Sequence, residues 1–140
     1  KGRQEVHTVS LELRRRELEG LIRDPRKLMD LWEETRKEQD ALIVACHPHY
    51  AAGITFRDTL FLWNNREKYA KYIDAWEIAN RDDVFNVISL KKYPYIANSD
   101  FHKARHIYSW KTLLNCDKNI SSVKQCIRHN KGVAITLFRN

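Results

Sequence analysis

"YPYIANSDFHKARH", residues 93–106, is the stretch on which the reading of this chain turns. Its first half is short, apolar and aromatic, which predicts a strand ending near Ser99. Asp100 and His102 follow two residues apart. In extended backbone such residues project to one face, so a carboxylate oxygen and a ring nitrogen can be aimed at a common point. A D-x-H at a strand tip therefore raises the expectation of a metal ion.

Working outward, other segments behave the same way. "DALIVAC" (40–46) is apolar on both faces and bounded by Asp40 and Pro48, which predicts a buried, parallel strand with His47 at its C-terminal tip. "YIDAWEIAN" (72–80) reads as a strand, and "EVHTVSLEL" (5–13) alternates like a strand with one buried face. "IYSWKTLL" (107–114) and "VAITLF" (133–138) complete the strands.

Helical signals fall between them. Asp24 and Pro25 open a helix carrying Leu28, Leu31, Trp32 and Thr35 as its apolar stripe. Thr55 and Asp58 resemble a capping box for "FRDTLFLW", with "NNREKYAKY" extending it or forming a second helix. Asp82 or Asp83 is placed to cap "VFNVISLKK". Ser121 or Ser122 is placed to cap "VKQCIRHNK", which Gly132 ends.

Alternating strands and helices predict parallel βαβ units, in a doubly wound sheet or part of a β/α barrel. Both arrangements put chemistry at the C-terminal ends of the strands. That is where His47, Asp100 and His102 fall.

Composition excludes much else. The chain has 140 residues, enough for one folding unit, and no apolar run approaches the length of a membrane span. Its +7 formal charge comes from 25 Lys and Arg against 18 Asp and Glu, and suits an anionic or phosphorylated partner. Cys46, Cys116 and Cys126 have no C-x-x-C spacing, which argues against a zinc knuckle or disulfide framework and for a reducing, cytoplasmic setting. With four glycines, no phosphate cradle or dinucleotide fingerprint can be assembled. There is no G-x-S-x-G elbow, and Cys46 and His47, on opposite faces of a strand, are poorly placed to share a proton.

"VACHPH" (44–49) followed by "NSDFHKARH" (98–106) resembles the later motifs of the polymerase and histidinol phosphatase (PHP) family of metal-dependent phosphoesterases. "EVHTVSL" and "YIDAWEIANR" resemble two further segments of that family in the same order. The resemblance implies an α/β fold, part of a distorted seven-stranded β/α (TIM-like) barrel, holding two or three divalent ions of zinc, manganese or iron. It implies His47, Asp100, His102 and His7 as metal ligands. Residues 1–140 would form a single unit, the C-terminal part of the domain, with the family's opening H-x-H strand expected upstream of this chain and an exposed sheet edge available for self-association.

The implied activity is hydrolysis of a phosphate ester, on a phosphorylated small molecule or a nucleic-acid end, by metal-activated hydroxide. His49 and His106 are candidates for substrate contact, and Arg81, Lys103 and Arg105 for holding phosphoryl oxygens. The alternative is a non-catalytic remnant of such a domain that binds nucleic acid or a protein partner.

Overall fold

A computed structural model describes residues 25–48 and 63–139. The strand expected over 5–13, the capping box at Thr55 and Asp58, and the candidates His7 and His49 lie outside the described residues.

Helix α1 (Pro25–Gln39) leads into the two-residue strand β1 (Val44–Ala45). A short helix α2 (Arg66–Tyr69) and a 3-10 turn (Ala70–Tyr72) precede β2 (Ala75–Asn80). β3 (Asp83–Val84) doubles back as a hairpin, α3 (Val87–Leu90) follows, and β4 (Tyr95–Asn98) returns to the sheet. A second 3-10 turn (Ala104–Ile107), β5 (Trp110–Leu114), α4 (Ile120–Arg128) and β6 (Val133–Leu137) complete the described chain.

β2 is the centre. It pairs in parallel with β1 through Ala75 and Trp76 and in parallel with β4 from Trp76 to Asn80. Its last two residues pair antiparallel with β3, on the edge that β1 has left. All six residues of β2 are buried, which requires cover on both faces. Trp76 and Ile78 meet Tyr69, Leu90 and the α1 side chains Met29 and Trp32 on one face. Ala75 and Ile96 meet Ile127 and Val123 of α4 on the other.

Charge pins α4 across the N-terminal end of this sheet. Asp40 accepts from Lys124 Nζ at 2.6 Å and from Arg128 at 2.9 Å. Asp74 accepts the Ile43 amide at 2.8 Å and faces both Arg36 and Arg128.

The expected barrel is not what the described residues form. They make a four-stranded mixed sheet and a separate two-stranded antiparallel sheet, β5 with β6, and the seven-stranded parallel β/α barrel is thereby corrected. Two local causes account for this. The link from β4 to β5 contains only a 3-10 turn, so nothing carries the chain back to begin another parallel strand. The nine-residue α4 then brings the chain back to the end of β5 from which it left. There Asn130 and Gly132, both at positive φ, turn it, and the Asn115 amide donates to the Gly132 carbonyl at 2.8 Å.

A side chain joins the two sheets. Thr112 Oγ1 of β5 accepts from the Ala97 amide at 2.8 Å and donates to the Ala97 carbonyl at 2.7 Å. One hydroxyl thereby satisfies both backbone groups that β4 presents on its outer edge at that residue.

Two caps differ from expectation. Asn86, not Asp82 or Asp83, caps α3 by accepting from the Ser89 amide. Asn119, not Ser121 or Ser122, caps α4 by accepting from the Ser122 amide at 2.8 Å. Among the described residues no helix is long and apolar enough to cross a membrane.

Candidate functional site

Three adjacent parallel strands, β1, β2 and β4, end on one edge, and each is followed by a non-glycine residue at positive φ. These are His47 at 31°, Arg81 at 51° and Asp100 at 45°. Left-handed backbone costs a residue with a Cβ on the order of 1 kcal/mol, and such strain concentrates where a side chain must be aimed. Here it turns the chain sharply at each tip, leaving the side chains of three sequence-predicted site residues on the C-terminal edge.

Arg81 is the most heavily used. Its amide donates to the Asn98 carbonyl at 3.1 Å, its carbonyl accepts from the Trp110 amide at 2.7 Å, and its guanidinium meets Asp100 Oδ2 at 2.8 Å. One residue thus closes β2 against the end of β4 and the start of β5, and holds one oxygen of the Asp100 carboxylate.

The Asp100–His106 loop sets the two imidazoles. His102 Nδ1 lies 2.7 Å from the Asp100 carbonyl and 3.3 Å from its Oδ1. A carbonyl only accepts, so Nδ1 carries the proton and neutral His102 keeps its lone pair on Nε2. The 3-10 turn brings His106 under this group, buried, with its ring centroid 6.2 Å from that of His102. The His102 amide donates to His106 Nδ1 at 3.0 Å, which puts the proton of neutral His106 on Nε2. In that tautomer the 3.2 Å approach of His106 Nδ1 to the Asp100 carbonyl is not a hydrogen bond. The two rings thus have opposite tautomers, fixed by a loop of seven residues.

His47 is positioned by a residue that the sequence reading passed over. Its backbone amide donates to Glu77 Oε2, which also accepts from Asn80 Nδ2 at 3.1 Å. Glu77 is 1% exposed. Loss of hydration pushes its carboxyl above the usual value, while hydrogen bonds from the His47 amide, Asn80 and Asn98 pull the other way. The signal was present in "AWEIAN", since a carboxylate inside a fully apolar strand needs buried partners.

Cys46 is exposed as a residue, yet its thiol is pushed up to about 11, first by lost hydration of the sulfur and then by the negative charges of Glu77 and Asp100. At neutral pH it is a thiol and a poor nucleophile. Lys103 and Arg105 are exposed on the loop that carries His102. Phe101, 62% exposed, stands edge-on to His106.

The edge therefore brings together Arg81, Asp100, His102 and His106, with His47 at the tip of β1 on the far side of β2. Among the described residues, no three His, Cys, Asp or Glu side chains close into a metal cage. No model of a known protein family matches the chain, and no curated protein matches it with significance.

Proposed function

We propose that the C-terminal edge of β1, β2 and β4 is a metal-dependent phosphoester-hydrolysing centre of the kind the PHP-like motifs suggest. The observation that carries this reading is the state of His102. Its Nδ1 proton is committed to the Asp100 carbonyl, with the Asp100 carboxylate on the same side of the ring, so the lone pair of this exposed histidine belongs to Nε2, on the opposite side. A backbone carbonyl behind a histidine is how proteins orient imidazole toward a divalent ion.

The donors fit such an ion in kind: His102 would hold it through Nε2 and Asp100 would join by turning its carboxylate from His102 Nδ1, with His47 the next candidate and His7 and His49 outside the described residues. When bound, such an ion would lower the pKa of a water far enough to supply hydroxide at neutral pH. The chain's own residues do the rest. Arg81 neutralises and orients the Asp100 carboxylate, His106 holds the His102 amide, and Glu77 fixes the backbone turn that presents His47. Lys103 and Arg105 are the exposed cations nearest in sequence to His102, suited to the non-bridging oxygens of a phosphorylated small molecule or nucleic-acid end.

The test is release of phosphate from a phosphomonoester by the full chain, chelated and then reloaded with manganese or zinc. His102→Ala and Asp100→Ala should each lower the metal-stimulated rate by at least about a hundredfold while circular dichroism stays unchanged, since a lost ligand typically removes the ion. Undiminished activity in both variants overturns the reading. The second reading, a non-catalytic surface for anions, rests on the exposed Lys103 and Arg105. It predicts binding that weakens with salt and ignores chelator.

A further inference from the structure

A second cluster lies away from this edge, where β5 turns into α4. β5 and β6 pair as far as Leu114 with Val133, and the Asn115 amide continues the ladder to the Gly132 carbonyl at 2.8 Å. One residue further, Cys116 comes opposite Lys131. The Lys131 carbonyl accepts from the Cys126 thiol at 2.7 Å, reached from the last turns of α4. The register of the hairpin and the end of the helix thus bring both cysteines to one end of the β5–β6 hairpin. Both line an open cavity of about 580 Å³ with Asp117, Gln125, His129 and Lys131.

The two cysteines share this cavity, close enough for Cys126 to act on Cys116. The Cys116 thiol is pushed above its ordinary value first by lost hydration and then by the charge and hydrogen bonding of Cys126. Cys126 is 6% exposed and Cys116 partly exposed, so a reagent entering the cavity meets Cys116 first and finds Cys126 behind it. An accessible thiol backed by a second one is the arrangement in which a mixed disulfide resolves internally. Cys46 has no part in this, since it stands at the tip of β1.

We infer that Cys116 and Cys126 form a reversible disulfide by exchange with a low-molecular-weight disulfide. In the first step the Cys116 thiolate attacks one sulfur of the reagent, and the other leaves as a thiolate that takes up the proton Cys116 lost. In the second, the Cys126 thiolate attacks the Cys116 sulfur and expels the second half of the reagent, which takes up the proton of Cys126. The balance is two protein thiols oxidised and one small disulfide reduced to two thiols. The product pins the turn at 115–119 to the C-terminal half of α4 across the mouth of the cavity. It places a redox-controlled clasp on the loop that joins the second sheet to the helix covering the first.

The experiment uses the full chain incubated with graded ratios of oxidised to reduced glutathione at about pH 8.5, near the ordinary cysteine pKa. Free thiols should fall from three to one, the intact mass should drop by two hydrogens with no glutathione retained, and peptide mapping should find Cys116 joined to Cys126. Added dithiothreitol should restore all three thiols. Cys46→Ser should behave as wild type. Cys126→Ala should instead hold one glutathione on Cys116, and Cys116→Ser, which leaves the buried sulfur untouched, should abolish the cross-link if the first variant fails to fold. Stable glutathionylation of Cys116 in the wild type, a cross-link that includes Cys46, or three thiols surviving at every ratio overturns the inference.

Discussion

Thr112→Val removes one oxygen and almost no volume, and on this structure it should be among the most costly surface-adjacent changes available. Its hydroxyl is the partner of both the amide and the carbonyl of Ala97, a residue 1% exposed in the middle of β4. A buried backbone group left without a partner costs about 1–3 kcal/mol, and the added methyl returns at most about 0.8 kcal/mol. With two groups orphaned, the net loss should be about 1–5 kcal/mol. In urea, with a slope of about 2 kcal/mol per M, that moves the unfolding midpoint down by about 0.5–2.5 M. Thr112→Ser keeps the oxygen and should recover most of the loss. The effect should reach the site as well, because Ala97 and Thr112 anchor the two ends of the segment carrying Asp100, His102 and His106. Metal affinity of the valine variant should fall under conditions where it is still folded. A valine variant within about 0.5 kcal/mol of wild type, or one indistinguishable from the serine variant, would refute the claim that a hydroxyl joins the sheets.

Two further outcomes follow from local geometry. Gly132 has φ of 68°, and a Cβ there would lie 2.9 Å from the Asn115 carbonyl oxygen, so Gly132→Ala should cost about 1–3 kcal/mol in urea unfolding and splay the β5–β6 hairpin. The hydrogen bond from Lys124, then that from Arg128, holds the Asp40 carboxyl below its ordinary value of 3.8. The unfolded chain therefore takes up the proton first as pH falls, so this contribution to stability is present above pH 3.8 and is lost below it. Asp40→Asn should flatten the acid limb of a stability profile, and an acid limb unchanged from wild type would contradict the Asp40 cluster.

How much of this was legible in the sequence depends on what fixes each feature. The apolar runs that became β1, β2 and β4 were readable because a strand buried on both faces leaves no polar alternation, and their parallel pairing follows from the long connections between them. The direction of β6 was not. It depends on how far α4 carries the chain before Asn130 and Gly132 turn it, and hydrophobic pattern contains no such length. The caps were misread because residues able to cap stand close together near each helix start. Asn86 and Asn119 won over Asp83 and Ser121 through the backbone each occupies, which composition does not record. At the site Asp100 and His102 do meet, but through a positive-φ turn and not the extended backbone that the two-residue spacing implied, and His102 and His106 meet through the 3-10 turn that carries His106. The tautomers, the Arg81–Asp100 pair and the role of Glu77 come from the positive-φ turns at the strand tips, and a sequence of non-glycine residues does not announce those.

The most direct measurement is the position of a bound ion, found by anomalous scattering from crystals of the full chain soaked in zinc or manganese. The account predicts a peak within about 2.0–2.2 Å of His102 Nε2, lost in His102→Ala. A stoichiometric ion held elsewhere, or none at the strand tips of a well-ordered chain at saturating metal, would contradict it.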